Sequence, residues 1–359
     1  MSTHYEERMA ADLADIRRKL KTVSELVQRQ AQMANQALLR GDRDLAARVV
    51  LGDRQVNRRI KQIDHLCHAF IVRHAPSAGH LRYVSAVMRL GVALERIGDY
   101  AGSIGRQTGR LSSPPPDSVA RDLELIAHQA RHTLSQALIA FHSGDVALAR
   151  VTYGLADQTD LTLDKVLTEL LVVGERRELP LADVFGLLRI TMLLKRVAEQ
   201  SENVCEQAIF AATGELRPPR VYRVLFVGVH NDRSSQIAEA YARKAFPESG
   251  VYGSAGWSPA ETLHPALIEF MDAKGVDMRR AAPTPLTQIT DAAEHYNVIV
   301  LVTPNGRVHL GDVPYRTTVV EWPIEDDGST TPEALERLYQ DVVVRVRDLM
   351  TTLAGPDAR

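Results

Sequence analysis

The sequence contains few of the features expected of secreted, membrane-spanning or nucleic-acid-binding proteins. Only two cysteines occur in 359 residues, Cys67 and Cys205, and they form neither a disulfide framework nor a zinc-ligand spacing. No apolar run reaches the roughly 18 residues of a transmembrane helix, and the N-terminus has no apolar signal-peptide core. A formal net charge of −2 supplies no positive field for nucleic acid. These absences predict a cytoplasmic protein with buried, reduced thiols and no nucleic-acid partner.

The length and the positions of proline indicate two domains. A chain of 359 residues exceeds one typical hydrophobic core. Helical periodicity fills residues 1–213, in two copies of about 4–110 and 119–212, with three consecutive prolines near their junction. Residues 214–221 read as a linker, and strand-like and helix-like segments alternate over 222–359. The predicted fold is therefore a tandem of all-α three-helix bundles followed by a small α/β doubly wound parallel-sheet domain.

The segment around Glu95 and Asp99 is the most informative part of the helical half. Apolar residues recur there at alternating spacings of four and three, which is typical of a bundle helix; they are Tyr83, Val87, Leu90, Leu94, Ile97, Ala101 and Ile104. Glu95 and Asp99 lie beside this seam, one turn apart, and therefore share a helix face. Two interpretations remain open. The pair is either a solvated acidic edge with Arg96 as counterion, or half of a site for a hard cation.

An internal repeat links this segment to the second half of the helical region. Gly41 and Asp42 return as Gly144 and Asp145, and a second apolar seam runs over residues 187–208. In that copy Lys195 and Glu199 stand where the first copy has Glu95 and Asp99. A lysine ammonium repels cations, so the second copy is predicted to hold metal weakly or not at all.

The Glu-Arg-Ile-Gly-Asp-Tyr-Ala run that begins at Glu95, with the Pro76–Arg82 segment before it, resembles the PhoU family of phosphate-uptake regulators. The resemblance covers about residues 4–210. It implies paired three-helix bundles, a homodimer, and two partners, a sensor histidine kinase and a phosphate ABC transporter. The function implied is negative regulation of phosphate-starvation signalling.

The same resemblance implies a set of metal ligands. They are Asp53 and Asn57, one turn apart on the second helix, and Glu95 and Asp99 on the third. The ion would be divalent or trivalent, namely Mg, Mn, Fe or Zn. Asn57 is neutral where a carboxylate is more usual in the family. In the second copy, Asp160 corresponds to Asn57.

The C-terminal half resembles the low-molecular-weight tyrosine phosphatase and arsenate reductase superfamily. Its first apolar strand, Val224–Val227, leads into His230-Asn231 and then a Ser-Gln-Ile-Ala-Glu helix start, and later landmarks include Glu321-Trp322-Pro323. The resemblance implies a loop that binds phosphate or arsenate at a helix N-terminus. That loop comprises Gly228, Val229, His230, Asn231, Asp232, Arg233, Ser234 and Ser235.

The chemistry of that superfamily needs a cysteine thiolate at the start of the loop and an arginine six positions later. Here those positions hold Gly228 and Ser234, and no cysteine follows Cys205. We therefore expect an oxyanion-binding domain without catalysis. The alternative is an active phosphatase or arsenate reductase that uses relocated groups, with Arg233, Ser234 and Asp326 as candidates.

Overall fold

The computed structural model describes residues 2–155, 158–216, 221–289, 296–311, 313, 317–356 and 358. The chain divides into two compact units, Met1–Arg217 and Pro218–Arg359. In the described part of the chain, no helix is both long and apolar enough to cross a bilayer, as the sequence predicts.

The first unit consists of helices, as the periodicity predicts. The first repeat contains three long helices, α1 (Ser2–Arg40), α2 (Arg43–His74) and α3 (Ala78–Thr108). The second contains α4 (Asp117–Ser143), α5 (Val146–Tyr153), α6 (Gln158–Glu175) and α7 (Leu181–Thr213). The middle helix is thus continuous in the first repeat and interrupted in the second. Gly154 caps the end of α5, and glycine is a poor residue for continuing a helix.

The repeated Gly-Asp pair makes the same turn in both copies. Gly41 and Gly144 adopt φ values of 64° and 72°, in the left-handed region that favours glycine. Asp42 then accepts a hydrogen bond from the Leu45 amide at 2.8 Å, and Asp145 accepts one from the Leu148 amide at 2.9 Å. Each aspartate caps the helix that follows it.

The two repeats share one hydrophobic interior. Both core clusters of the unit contain side chains from each repeat, for example Leu90 with Leu134 in one cluster and Val49 with Leu187 in the other. Cys67 and Cys205 are buried free thiols, as predicted. Burial raises the pKa of both thiols to about 12, which makes them poor nucleophiles at neutral pH.

The second unit contains a four-stranded parallel sheet. Its strands are β1 (Tyr222–Gly228), β2 (Gly250–Gly256), β3 (Val298–Leu301) and β4 (Thr318–Glu321), in the spatial order β2-β1-β3-β4. The helices are α8 (Ser234–Ala245), α9 (Pro265–Ala273) and α10 (Pro332–Ala354), with short 3-10 turns at Leu286–Gln288 and Gly306–His309. This arrangement confirms the predicted α/β fold.

The topology determines where a ligand site can form. Strand β1 lies between β2 and β3 and pairs in parallel with both. In sheets of this kind, ligands bind beyond the carboxyl ends of the strands, where the strand order changes direction. The loop between Gly228 and Ser234 lies at that place, directly before the N-terminus of α8.

Candidate functional site

The predicted metal ligands of the first repeat lie on two helices that pack against each other. Asp53 and Asn57 are on α2, and Glu95 and Asp99 are on α3. The pKa of the Asp53 carboxyl is raised, first by burial and then by the negative charges of Asp99 and Glu95. The structure therefore brings three of the four predicted ligands within electrostatic reach of one another.

Two glycines of α3 make this close approach possible. A Cβ atom at Gly98 would lie 3.3 Å from Asp53 Oδ1 and 3.3 Å from Val56 Cγ1. A Cβ atom at Gly102 would lie 3.5 Å from Asp53 Cβ. A Cβ at Gly98 would crowd Asp53 and Val56, whereas one at Gly102 would make an ordinary contact, so Gly98 in particular lets the Asp53 side chain lie against the backbone of α3.

The free oxygens on α2 suit a hard cation. Asp53 Oδ1 and Asn57 Oδ1 are buried atoms without a hydrogen-bond partner among the described residues, and such groups are costly unless something satisfies them. Arg106 partly compensates the charge of Asp53. No three His, Cys, Asp or Glu side chains in the described ranges already converge as a metal cluster. The residues present fit a cation with oxygen ligands, which would draw them together.

The corresponding face of the second repeat carries an ion pair. Lys195 Nζ lies 3.6 Å from Glu199 Oε1, so a cation of the protein itself accompanies the carboxylate. The side chain of Asp160 lies outside the described residues. The two repeats therefore present different electrostatic environments at equivalent positions.

In the second unit, Asn231 organises the loop that follows β1. Its backbone has φ 51°, in the left-handed region, and its side chain is buried. The side-chain oxygen accepts hydrogen bonds from the Thr284 amide at 2.8 Å and from Gln236 Nε2 at 3.0 Å, while Nδ2 donates to Ser235 Oγ at 2.9 Å. One asparagine thus ties the loop to the start of α8 and to the segment after α9.

The arginine of this loop is paired within the protein. Arg233 Nη2 lies 3.1 Å from Asp326 Oδ1, and both side chains are more than four-fifths buried. Burial raises the pKa of Asp326, which the guanidinium of Arg233 and a hydrogen bond from the Gly328 amide partly oppose. Arg233 Nε is buried and has no hydrogen-bond partner in the described ranges of the second unit. The pair joins the only arginine of the loop to Asp326, one of the candidate catalytic residues of the alternative enzymatic interpretation.

Gly228 brings no side chain into the loop. A Cβ atom there would lie 3.2 Å from Val302 Cγ2 and 3.3 Å from Ser235 Oγ. His230 is exposed, and its Nδ1 donates to the Ser258 carbonyl at 2.8 Å. Among the described hydrogen bonds, none joins His230 to Ser234 or Ser235, so the structure shows no serine–histidine pair of the kind that activates a hydroxyl.

Sequence reasoning missed several residues that shape these sites. Gly98, Gly102 and Arg106 determine how closely Asp53 approaches α3 and what balances its charge. The four-residue spacing of the two glycines was a readable signal of close helix packing. No local pattern indicated Thr284, whose amide reaches Asn231 from far along the chain.

Fold and sites together define a tandem helical repeat unit with carboxylates on two packed helices, followed by an α/β unit with a parallel sheet and a loop that precedes a helix N-terminus. The PhoU domain model matches residues 20–108 and 123–208. The model described as low molecular weight phosphotyrosine protein phosphatase matches residues 223–354. The chain thus carries PhoU domains in its N-terminal region and a low-molecular-weight phosphatase-like domain in its C-terminal region.

Individual relatives match the helical region. The phosphate-specific transport system accessory protein PhoU of Escherichia coli is 26% identical over 215 residues, which cover 60% of this chain and 89% of that protein. The PhoU homolog of Synechocystis is 26% identical over 190 residues, covering 53% and 84%. The crystal structure of PhoU from Pseudomonas aeruginosa aligns with a TM-score of 0.54 at 27% identity, covering 57% of this chain and 99% of that one.

Proposed function

We propose that this protein is a metal-dependent accessory regulator of phosphate transport and phosphate-starvation signalling. The PhoU domains and the named function of the relatives, a phosphate-specific transport system, support this assignment. By the same resemblance, its partners are a phosphate ABC transporter and a sensor histidine kinase, and it acts at the cytoplasmic side of the membrane as a homodimer.

The proposed metal dependence is supported mainly by two buried oxygens on α2 that have no hydrogen-bond partner among the described residues. Asp53, one turn from Asn57, lies within electrostatic reach of the carboxylates of Asp99 and Glu95. A divalent or trivalent ion, of the Mg, Mn, Fe or Zn group, would satisfy both oxygens and remove the repulsion between the carboxylates. Bound there, it would fix the spacing of α2 and α3, and thus the surface offered to a partner.

The C-terminal domain, in this proposal, recognises an oxyanion without transforming it. A rigid loop at the N-terminus of α8 offers backbone N–H groups to phosphate or arsenate. Gly228 supplies no nucleophile, and Arg233 is held by Asp326. An incoming oxyanion has to compete with that carboxylate for the arginine, so binding would be coupled to release of the Arg233–Asp326 pair.

A complementation experiment tests the regulatory role. Deleting this chain from its host should raise a phosphate-starvation reporter in phosphate-rich medium, and the parent chain should restore repression. Asp53→Asn and Asp99→Asn, expressed at equal level, should fail to restore it, whereas Asp64→Asn, an exposed position on α2, should succeed. Full repression by all three variants would refute the metal requirement, and an unchanged reporter in the deletion strain would refute the role itself.

A further inference from the structure

A second polar cleft lies in the helical unit, away from the carboxylates of α2 and α3. It has a volume of about 250 Å³ and is bordered by side chains of α1 and α4, namely Gln28, Gln32, His128, Arg131, His132, Leu134 and Ser135. That volume corresponds to roughly eight water molecules at ~30 Å³ each. A small solute with part of its hydration shell would fit there.

The side chains that line the cleft supply hydrogen-bond donors and a positive charge but no negative charge. Arg131 contributes a permanent positive charge, and each imidazole, glutamine amide or hydroxyl contributes at least one hydrogen-bond donor in any protonation state. None of the seven lining residues is a carboxylate. Glu124, one turn before His128 on the same helix, does not border the cleft. The cleft is therefore complementary to an anion.

Two details of geometry indicate a ligand rather than a merely polar surface. Arg131 borders the cleft, and its Nε has no hydrogen-bond partner within the described part of the chain, so the donor capacity of this guanidinium is not used up by the protein. His128 and His132 lie one turn apart with their rings parallel to within 6° and their centroids 6.3 Å apart. Both imidazoles border the same cleft.

Alternative occupants fit less well. Histidines four residues apart on a helix also suit a transition metal, but the fixed charge of Arg131 in the same lining repels a cation. An apolar guest would displace water from the partly buried Arg131 and Gln28 without replacing its hydrogen bonds, which is costly. A tetrahedral oxyanion accepts hydrogen bonds from several directions and matches the guanidinium.

We propose that this cleft is a binding site for a phosphate-class oxyanion, held by Arg131 with His128, His132 and the amides of Gln28 and Gln32. It joins α1 of the first repeat to α4 of the second, so an anion bound there would tie the two repeats together. The site is separate from the loop before α8, and it does not depend on metal at α2 and α3.

Calorimetric titration of the full chain with inorganic phosphate, in a phosphate-free buffer, tests the proposal. Arg131→Gln should weaken this site by about tenfold or more, because a charge-assisted hydrogen bond is lost. Arg121→Gln, an exposed arginine on α4 outside the cleft, should bind as the parent does. Arg233→Gln separates the two proposed anion sites, since it should affect only the loop before α8.

Imidazole ¹H–¹⁵N spectra of the full chain locate the bound anion. Phosphate should shift two resonances that disappear in His128→Gln and His132→Gln respectively. Sedimentation with phosphatidylglycerol vesicles distinguishes a lipid phosphate from the free ion, since only a headgroup ligand would make the parent, and not Arg131→Gln, co-sediment. Equal phosphate binding by the parent and Arg131→Gln, with unmoved histidine resonances, would overturn the site. Zn²⁺ binding without phosphate binding, lost in either histidine variant, would also overturn it.

Discussion

Replacing Asp53 with asparagine should separate metal binding from folding. The substitution keeps the shape of the side chain and removes a charge whose pKa is raised by burial and by Asp99 and Glu95. A carboxyl whose folded-state pKa exceeds its unfolded value contributes stability below the unfolded pKa and loses that contribution as pH rises through the folded value. At neutral pH, metal-free Asp53→Asn should therefore be as stable as the parent or more stable.

Asp53→Asn should keep its stability without metal but should gain less stability than the parent when metal is added. An ion present at 100 times its dissociation constant stabilises the folded parent by about 2.7 kcal/mol. For a helical unit of this size, that corresponds to a rise in Tm of about 5–10 °C. Asp53→Asn should lose most of this rise, and acidification should diminish it in the parent, because protons compete with metal for a carboxyl of raised pKa.

Differential scanning fluorimetry with EDTA, Mn²⁺, Mg²⁺, Zn²⁺ and Fe³⁺ measures both effects. Asp64→Asn is the matched control, because Asp64 lies on the same helix, is about half exposed and pairs with His68 at 3.5 Å. It should respond to metal as the parent does. If Asp53→Asn destabilises the metal-free chain strongly and retains the full metal-dependent rise in Tm, Asp53 is a structural residue and our reasoning is wrong.

Three further substitutions test other parts of the account. Gly98→Ala places a methyl group 3.3 Å from the carboxylate on α2. This crowding should cost about 1–3 kcal/mol, offset by the gain of about 1 kcal/mol in helix propensity, and should reduce the metal-dependent rise in Tm. Gly79→Ala, with open space around its Cβ, gains the propensity without the crowding and should be neutral or stabilising, so equal effects of both substitutions would contradict the packing argument. Gly228→Cys should gain no aryl phosphatase or arsenate reductase activity, since Arg233 remains paired with Asp326; measurable turnover would show that only the thiol was missing. Asp326→Asn should strengthen arsenate binding by freeing the arginine, as measured by calorimetry, and unchanged or weaker binding would show that the pair does not compete with the anion.

Local patterns predicted the helical unit and the parallel-sheet unit, whereas the ligand roles of the proposed site residues remain predictions. The spacing of apolar residues defined α3, and the Gly-Asp pairs defined the starts of α2 and α5. The interruption after Tyr153 was not predicted, because the repeat suggested a middle helix like α2. Two repeats can share the same packing of helices even where one of them has a helix that ends early, as α5 does at Gly154.

The pairings that determine the chemistry of each site could not be predicted from the sequence, because the paired residues lie far apart along the chain. Arg233 and Asp326 are separated by most of the second unit, and only the fold shows that they form a buried pair. The cleft formed by Arg131 and the histidines of α4 with Gln28 of α1 likewise depends on how the two repeats pack. Sequence patterns identify which groups are present, whereas burial and pairing decide what those groups can do.

Turnover by the purified full chain, measured with an aryl phosphate and with arsenate plus a thiol reductant, tests the central claim most directly. The account predicts no activity above that of a mock purification, while calorimetry on the same sample detects anion binding that Arg233→Gln weakens. Steady turnover that is abolished by Arg233→Gln or Ser234→Ala would contradict it and establish the domain as an enzyme.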